Sequence, residues 1–126
     1  MKEIHKYYIL PATPEEVYIA LTNSFTIELW TDEKAVMSTE EGSEFSLWDG
    51  SITGRNISFI ENRQIQQEWF FGEQVEKSVV TIKLFTHRKG TSCELRHTNV
   101  PDSEFEDISD GWDESYFGAL IDFFNE

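Results

Sequence analysis

Hydrophobic residues near the end of the chain, over residues 109–126, recur at the spacing of a helix. Trp112, Tyr116, Ala119, Leu120 and Phe123 share one row of that helix. A second apolar row beside it consists of Phe117, Ile121 and Phe124. Two rows cover more of the circumference than a helix lying on a single surface needs. The pattern therefore predicts a core helix that the rest of the chain encloses with a curved sheet.

The start of the chain predicts an edge strand followed by two short helices. The strand covers Glu3–Leu10 and is ended by Pro11. Thr13 is a good helix N-cap, and Glu16, three residues later, completes a capping box. Hydrophobic spacing predicts that this helix continues to residue 23 and that a second helix covers Phe25–Trp30.

Between residues 35 and 100 the hydrophobic period changes to two, which is typical of strands. The predicted strands are Ala35–Ser38, Ser43–Trp48, Ser51–Ile60, Arg63–Phe71, Lys77–His87 and Thr91–Asn99. Asp49-Gly50 predicts a two-residue hairpin, because both central residues of a type I′ turn need positive φ. Gly54 predicts a bulge or a close approach of another backbone. Gly72–Glu76 is predicted as a loop.

The segment between the sheet and the final helix has its own signals. Pro101 ends the last strand, and Ser103 with Glu106 matches a second capping box, which predicts a separate helical turn. Gly111 is expected to let the chain change direction before the long helix. The predicted order is one strand, two short helices, six strands and a long helix, in a single domain spanning residues 1–126.

The charge of the chain narrows the classes of partner. Its 126 residues include 24 Asp and Glu against 10 Lys and Arg, a net charge of -14, and no Lys or Arg follows Arg96. So acidic a chain repels phosphate backbones and anionic lipids, which argues against nucleic-acid or membrane binding. The excess acid serves solubility, the interpretation we favour, or it docks a basic partner.

Cysteine content and the N-terminal sequence predict a soluble cytoplasmic protein. The single Cys93 cannot form an internal disulfide, as expected in a reducing cytosol. The first residues, MKEIHKYYILPATPEE, lack the apolar run of a signal peptide. No segment approaches the ~18 consecutive apolar residues of a membrane helix.

Several short motifs, spread over nearly the whole chain, carry a resemblance to a known family. They are Thr13-Pro14-Glu15-Glu16-Val17-Tyr18, Ala20-Leu21-Thr22, Trp30, Glu41-Gly42-Ser43-Glu44-Phe45-Ser46-Leu47, Asp49-Gly50-Ser51-Ile52-Thr53-Gly54, Arg63-Gln64-Ile65-Gln66-Gln67-Glu68-Trp69, Thr98-Asn99-Val100-Pro101 and Gly111-Trp112. With this order of elements, the chain resembles the homologues of the activator of heat shock protein 90 ATPase, within the START and birch-pollen-allergen-like (SRPBCC) superfamily. The resemblance implies an α+β helix-grip fold. In that fold, a curved antiparallel sheet of about six to seven strands wraps around a long C-terminal helix, with two short helices after the first strand.

The resemblance also implies functions. Superfamily members bind hydrophobic small molecules between sheet and helix, some catalyse cyclisation or hydrolysis, and the family name points to a chaperone and the stress response. The eukaryotic co-chaperone makes much of its chaperone contact through a separate N-terminal domain, whereas this sequence opens directly on the first strand of the grip. ATPase activation is therefore not expected from the resemblance alone. Gly42-Ser43 stands where the family often has two glycines, which is expected to change only a turn.

No group of residues predicts catalysis or metal binding. His5 and His87 are expected at the surface near strand ends. His97 alternates with apolar residues and is expected to face the interior as a hydrogen-bonded core residue, because no nucleophile and orienting group accompany it in a motif. Cys93 has no histidine at a motif spacing, and residues 107–111 lack the alternating oxygen ligands of a calcium loop. We expect no catalytic residues, no metal and no cofactor, and an enzyme ranks third among the functions considered.

The predicted site is a cavity between the sheet and the C-terminal helix. Its candidate lining residues are Phe45, Leu47, Phe59, Gln67, Trp69, Phe71, Ile82, Leu84, Leu95, His97, Tyr116, Leu120 and Phe123, with Ile57 and Val80 on the same faces. Gln67 and His97 would orient a ligand. The alternative is that these large side chains simply fill the space, as interiors do by default.

Two functions follow from these alternatives. The first, which we favour, is a module that binds a small apolar molecule in the cavity without turning it over. The second is an interaction protein that docks a chaperone or another partner through its acidic surface.

Overall fold

The computed structural model describes residues 1–72 and 76–126, so the middle of the loop predicted at Gly72–Glu76 lies outside the described residues. The helices are α1 (Pro14–Thr22), α2 (Ser24–Thr31), α3 (Phe105–Gly111) and α4 (Phe117–Phe124). The strands are β1 (Lys2–Leu10), β2 (Glu44–Leu47), β3 (Ile52–Ile60), β4 (Gln64–Trp69), β5 (Ser78–His87) and β6 (Gly90–Val100). A turn of 3-10 helix (Asp102–Glu104) precedes α3, and a π-helical turn (Trp112–Tyr116) joins α3 to α4. Residues 105–124 together are called the C-terminal helix below.

The six strands form one curved antiparallel sheet in the order β1-β6-β5-β4-β3-β2, with β1 at an edge as predicted. Alternation places one set of side chains on the inner face, where Val80, Ile82 and Leu95 have no exposed surface. The C-terminal helix packs against this face through residues such as Phe117 and Leu120, which are also fully buried. The chain therefore has the α+β helix-grip architecture that its motifs implied.

The two short helices are held by hydrogen bonds that the sequence indicates. Glu16 N–H donates to Thr13 Oγ1 at 3.2 Å, and Thr13 N–H donates to Glu16 Oε1 at 3.1 Å, so the predicted capping box is present. Asn23 caps α2 by accepting from Thr26 N–H at 3.0 Å. The indole of Trp30 donates to Ala20 O at 2.8 Å and joins the two helices.

The predicted strand at Ala35–Ser38 is wrong, because only Val36 forms a bridge, to Ser46. Met37 N–H donates to Ser24 Oγ at 2.9 Å, and Ser24 O–H donates to Met37 O at 2.9 Å. The backbone at Met37 is thus bonded to the first residue of α2 and has no groups left to extend the sheet.

The two-residue turn predicted at Asp49-Gly50 is also wrong. The last β2–β3 pair is Leu47 with Ile52, so the connection has four residues, 48–51. Trp48, Asp49 and Gly50 all have positive φ, at 50°, 52° and 93°. The extra left-handed residue is Trp48, whose aromatic side chain gives no sequence signal for that conformation.

A bulge in β3 overturns the inward placement of Ile57. The register with β4 shifts between Asn56 and Ser58, and Ile57 is 37% exposed. Asn56 takes the inward position and is fully buried, where its amide donates to Ser38 O at 3.3 Å and accepts from Gln67 Nε2 at 3.0 Å. A buried polar group with several partners thus occupies the place predicted for an aliphatic side chain.

A helical turn, the 3-10 turn at Asp102–Glu104, precedes the C-terminal helix as predicted, but its cap and the redirection at Gly111 were predicted wrongly. No side-chain cap joins Ser103 and Glu106, so the second predicted capping box is absent from this described part of the chain. Gly111 has helical dihedrals, φ -60° and ψ -39°, and does not redirect the chain. The irregularity lies at the π-helical turn instead, where Phe117 N–H donates to Trp112 O, five residues earlier.

Candidate functional site

A pocket with a volume of about 300 Å³ lies at one end of the sheet, between the β2–β3 connection and the C-terminal helix. Its aromatic walls are Trp48, Trp69, Trp112 and Tyr116. Ile52, Ile108 and Gly111 complete the lining inside the pocket. Four exposed polar residues form its rim: Glu33, Ser51, Asp107 and Ser115. The site is thus a mainly aromatic recess with a polar mouth.

The unusual four-residue connection between β2 and β3 brings Trp48 to this pocket. Its backbone is held by Asp49 N–H, which donates to Lys34 O at 2.9 Å, and by Ser51 N–H, which donates to Trp48 O at 3.1 Å. The side chain meets the Tyr116 ring edge-on, with centroids 5.9 Å apart at 61°. A left-handed backbone at a bulky residue is uncommon in proteins. Here it sets the third tryptophan wall of the pocket.

The other aromatic walls stack on one another. Trp69, at the end of β4, lies 4.7 Å from Trp112 between ring centroids at an interplanar angle of 24°. Trp112 and Tyr116 are 4.5 Å apart at 50°, and Trp30 supports Tyr116 from the α2 side at 5.2 Å. Offset and edge-to-face contacts of this kind are the favoured arrangements of aromatic pairs. The walls therefore hold their shape through mutual packing.

The π-helical turn carries two of these walls at its two ends, Trp112 and Tyr116. The turn leaves no room for a side chain at Gly118, because a Cβ there would lie 2.5 Å from Asp113 O. Single π turns inside α-helices are frequent at functional sites. Gly118 is therefore the residue that permits the local geometry of this wall.

Behind Trp112, a buried histidine connects the helix to the sheet. Trp112 Nε1–H donates to His97 Nδ1 at 3.1 Å, and His97 Nε2 lies 2.8 Å from Ser78 Oγ. The Ser78 hydroxyl donates to Thr98 O at 3.1 Å. Because Nδ1 accepts, the ring proton resides on Nε2 and is donated to Ser78. Burial of the ring lowers the pKa of His97 to about 4, which keeps it neutral.

This assignment also removes catalytic character from the Ser78–His97 pair. A serine nucleophile needs a base that can accept its proton. His97 Nε2 is a donor here, and the Ser78 hydroxyl is committed to Thr98 O. Both side chains have no exposed surface and neither lines the pocket. The pair is a structural link between strands β5 and β6 and the C-terminal helix.

A second buried hydrogen-bonded row holds Trp69. Trp69 Nε1–H donates to Gln67 Oε1 at 3.2 Å, and Gln67 Nε2 donates to Asn56 Oδ1 at 3.0 Å. The row ends where Asn56 donates to Ser38 O, so each amide has partners on both sides. Gln67, predicted to orient a ligand, instead orients a wall of the pocket.

Two other titratable groups of the core are held in their neutral forms. Burial raises the pKa of the Cys93 thiol to about 12, so the thiolate, its reactive form, is suppressed. Burial also raises the pKa of the Tyr116 phenol, with a smaller contribution from Cys93. The pocket wall at Tyr116 is therefore uncharged.

Of the predicted cavity residues, Trp69 and Tyr116 line this pocket. Eight others are buried elsewhere in the core: Phe45, Leu47, Gln67, Ile82, Leu84, Leu95, His97 and Leu120. Phe59, Phe71 and Phe123 are partly buried and pack against that core. Side chains thus fill most of the space predicted as a cavity, and the pocket lies at one end of the sheet.

Sequence reasoning missed several residues of the pocket. Trp112 was on the predicted inward row of the helix, four residues before Tyr116, and that spacing was a usable signal. Trp48, Glu33 and Asp107 come from three separate segments and meet only through the β2–β3 connection and the placement of the C-terminal helix. No local pattern predicts their proximity.

Residues 1–72 and 76–126 contain neither a cluster of metal ligands nor a helix that could span a membrane. Within that part of the chain, no three His, Cys, Asp or Glu side chains are gathered as a metal site would require. None of its helices is both long and apolar enough to span a bilayer.

The fold and the sequence together identify the family. The sequence model of the family described as Activator of Hsp90 ATPase homolog 1-like protein matches residues 11–124. The chain belongs to this family. One relative, activator of 90 kDa heat shock protein ATPase homolog 2 of Mus musculus, is 26% identical over 119 residues, which are 93% of this chain and 36% of the relative.

A second relative is similar in sequence, and a solved structure is similar in fold. The activator of 90 kDa heat shock protein ATPase homolog of Dictyostelium discoideum is 29% identical over 103 residues, 79% of this chain and 27% of that protein. The chain thus spans about a third of the length of the curated relatives it matches. The solved structure of an HSP90 activator from Plasmodium falciparum has a TM-score of 0.84 at 23% identity, covering 98% of this chain and 95% of the other, which shows the same fold.

Proposed function

We propose that this protein is a cytoplasmic binding module that holds a small apolar molecule in the aromatic pocket without turning it over. The observation that carries the proposal is the pocket of about 300 Å³ walled by Trp48, Trp69, Trp112 and Tyr116. Ligand sites begin at this size, and they are lined mainly by apolar and aromatic side chains with a few polar groups. The rim serines Ser51 and Ser115 would supply such polar groups.

Binding without turnover fits the chemistry of the walls. The indoles of Trp69 and Trp112 are hydrogen-bonded to Gln67 and His97, which therefore have no free function to offer a substrate. Burial holds His97 neutral, and the Cys93 thiol is likewise uncharged. A general base near neutral pH needs a pKa close to the working pH, which neither group has.

Native mass spectrometry on protein purified gently from its own host tests this proposal. We expect extra mass that disappears on denaturation and that identifies the ligand class. The variant Ser115→Phe, which adds an aromatic ring at the pocket wall, should lose that mass. The control Glu114→Phe adds the same ring at the neighbouring exposed position, which does not line the pocket, and should retain it. Retention of the mass by both variants would place the ligand elsewhere.

A second candidate function is association with a chaperone. The family description and the names of the mouse and Dictyostelium relatives both refer to the 90 kDa heat shock protein. The exposed carboxylates of Glu106, Asp110 and Glu114 follow one another at intervals of four residues on the C-terminal helix. Such a row would favour a basic partner surface and would give salt-sensitive association.

Binding of the host's 90 kDa heat shock protein to the immobilised chain tests this candidate. The triple variant Glu106→Gln, Asp110→Asn and Glu114→Gln should weaken association. The control Glu40→Gln, Glu41→Gln and Glu44→Gln removes the same charge from exposed positions before and within β2 and should leave association unchanged. Equal binding by both variants would remove this helix row from the interface.

A further inference from the structure

The mouth of the pocket carries negative charge and no compensating positive charge. Glu33 and Asp107 are exposed and line the rim from opposite segments of the chain. Among the described residues that line the pocket, none is Lys, Arg or His. The ion pairs found within residues 1–72 and 76–126 use Asp102, Glu94, Asp113 and Glu3, and none uses either rim carboxylate.

Glu33 is also held in place. Its backbone N–H donates to Thr31 Oγ1 at 3.3 Å, and the Thr31 hydroxyl lies 3.2 Å from Glu33 O, directly after the left-handed Asp32 that ends α2. Asp107 lies on α3, one helical turn before Gly111 of the pocket lining. The two carboxylates are thus mounted on ordered backbone at the entrance.

The walls behind this rim have the same electrostatic preference. The faces of Trp, Tyr and Phe rings carry the negative part of the ring quadrupole and attract ammonium and guanidinium groups, with Trp the strongest. The pocket has three tryptophans and one tyrosine. Recognition of quaternary ammonium groups uses such aromatic surroundings. Burial keeps the Tyr116 phenol uncharged, so it adds no charge of its own to the wall.

The charge of the whole chain acts in the same direction. The net charge is -14, and no Lys or Arg follows Arg96, so the charged side chains of the C-terminal helix, which forms one side of the pocket, are all negative. A recess lined by one sign of charge with low-dielectric walls raises the local concentration of the opposite ion. Fatty acids and other anionic amphiphiles would instead be repelled at the mouth.

We propose that the ligand of this pocket is an organic cation: an apolar body bearing a quaternary ammonium or a protonated amine. The apolar body contacts Ile52 and Ile108, the cationic head lies against Trp48, the one wall tryptophan that is only half-buried, and Glu33 and Asp107 balance its charge at the rim. This inference rests on the proposed binding function and adds the charge and chemical class of the ligand.

Three probes of similar shape and different charge test the inference. They are benzyltrimethylammonium, its neutral carbon isostere neopentylbenzene, and the anion 3-phenylpropanoate. Binding is measured by the intrinsic fluorescence of the protein, because three of its four tryptophans line the pocket. We expect the cation to bind about tenfold more tightly than the neutral isostere, and the anion to bind most weakly. The advantage of the cation should shrink as salt rises, because the rim charges are exposed.

Neutral substitutions at Glu33 and Asp107 test whether these two rim residues cause the preference for a cation. The double variant Glu33→Gln and Asp107→Asn should bind the neutral isostere as well as the unmodified protein does, and should lose most of the advantage of the cation. The matched control Glu40→Gln and Glu41→Gln removes two exposed charges beyond the opposite end of β2 and should keep that advantage.

The outcomes separate the two proposals. Binding of neopentylbenzene as tight as that of the cation would overturn the cationic class while leaving an apolar pocket in place. Tighter binding of 3-phenylpropanoate would overturn it as well. If none of the three probes binds, the binding function proposed for the pocket fails together with the inference. A preference for the cation that survives the rim variant but is lost in the control would place the recognition outside this pocket.

Discussion

The imidazole of His97 joins the C-terminal helix to the sheet, and it can do so only as a neutral ring. A proton on Nδ1 would face the Trp112 N–H, leaving two donors and no acceptor at 3.1 Å. Burial disfavours the charged ring as well, and it lowers the pKa of His97 from the usual 6.5 to about 4. Sequence alternation predicted a buried, hydrogen-bonded histidine at this position, and the structure confirms it.

Stability is predicted to fall as the pH drops from 6.5 to 4. Above this window the ring is neutral in both folded and unfolded chains, so its contribution is complete. Within the window the unfolded chain binds a proton that the folded chain does not, so the free energy of unfolding decreases, by roughly 3 kcal/mol in total. Urea unfolding at several pH values measures this slope.

The variant His97→Phe isolates the contribution of this ring. At pH 7 it should lose about 1–3 kcal/mol, because Trp112 Nε1 and the Ser78 hydroxyl lose their partner. Its pH slope should be flatter than that of the unmodified protein. His87→Phe is the control, since it removes a histidine at the end of β5 without touching the Trp112–Ser78 bridge. Equal slopes in the unmodified protein and His97→Phe would contradict the assignment.

Gly54 is a second single residue on which local packing depends, because β4 and the Phe45 side chain approach its backbone closely. A Cβ at this residue would lie 2.0 Å from Glu68 O and 2.6 Å from Phe45 Cζ, so the predicted close approach of backbone is confirmed. Gly54→Ala should destabilise the protein by at least about 2 kcal/mol, because both β4 and the Phe45 ring would have to move. Thermal unfolding tests this, and a loss within ±0.5 kcal/mol would show that the strands shift freely.

At the scale of elements, the C-terminal helix shows where periodicity succeeds and where it fails. The spacing of Trp112, Tyr116 and Leu120 predicted an inward row, and all three are buried. A π turn adds one residue to a helical turn, and a regular spacing of hydrophobic residues does not reveal such an insertion. The π-helical turn at Trp112–Tyr116 could therefore not be predicted. Of the two glycines in this helix, the sequence drew attention to Gly111, whereas the geometry depends on Gly118.

The two glycines give a matched pair of alanine substitutions. Gly118→Ala should cost about 1–3 kcal/mol, because its Cβ would meet Asp113 O at 2.5 Å, and it should change the near-UV circular dichroism of the pocket aromatics. Gly111→Ala should instead stabilise by about 0.5–1 kcal/mol, because its dihedrals are helical and a Cβ there meets nothing within 4 Å. Gain of stability at both positions would mean that the π turn is dispensable.

The six strands that form were predictable to within two residues because most of their inward faces alternate, whereas the strand predicted at Ala35–Ser38 does not form. The faces built on Ile65 and Ile82 are buried as expected. The errors lie where backbone geometry breaks the alternation: the bulge that turns Ile57 outward, and the left-handed Trp48 that lengthens the β2–β3 connection. Both features depend on contacts with other segments of the chain, and a local sequence pattern carries no information about those contacts.

At the scale of the whole molecule, the core between sheet and helix is filled around Leu120, which has no exposed surface. Leu120→Trp should therefore lose about 1–3 kcal/mol, because added bulk in a packed core forces strained side chains. The same change at Leu29, 56% exposed on α2, is the control and should stay within about ±0.5 kcal/mol. Chemical denaturation compares the two. A neutral Leu120→Trp would reveal internal space beyond the pocket.

The candidate pocket is also a property of the whole molecule. Trp69 and Tyr116 were predicted from the inward faces of a strand and a helix. Glu33, Trp48 and Asp107 join them only after the β2–β3 connection and the C-terminal helix have taken their places. Residues from segments this far apart in the chain belong to no common hydrophobic pattern. The sequence therefore predicts the walls of the pocket better than the residues at its rim.

Because the net charge is -14, added salt should raise the stability of the chain but weaken its association with positively charged partners. Within one folded chain, like charges repel, so raising NaCl from about 0.02 to about 0.5 M should raise the melting temperature. Association with a basic partner or an organic cation should weaken over the same range, since screening removes the attraction. The triple variant Glu106→Gln, Asp110→Asn and Glu114→Gln should show a smaller rise in melting temperature, because it starts with less repulsion. A melting temperature that falls with salt would mean that the ion pairs of Lys6 and Arg96 outweigh the repulsion of the remaining carboxylates.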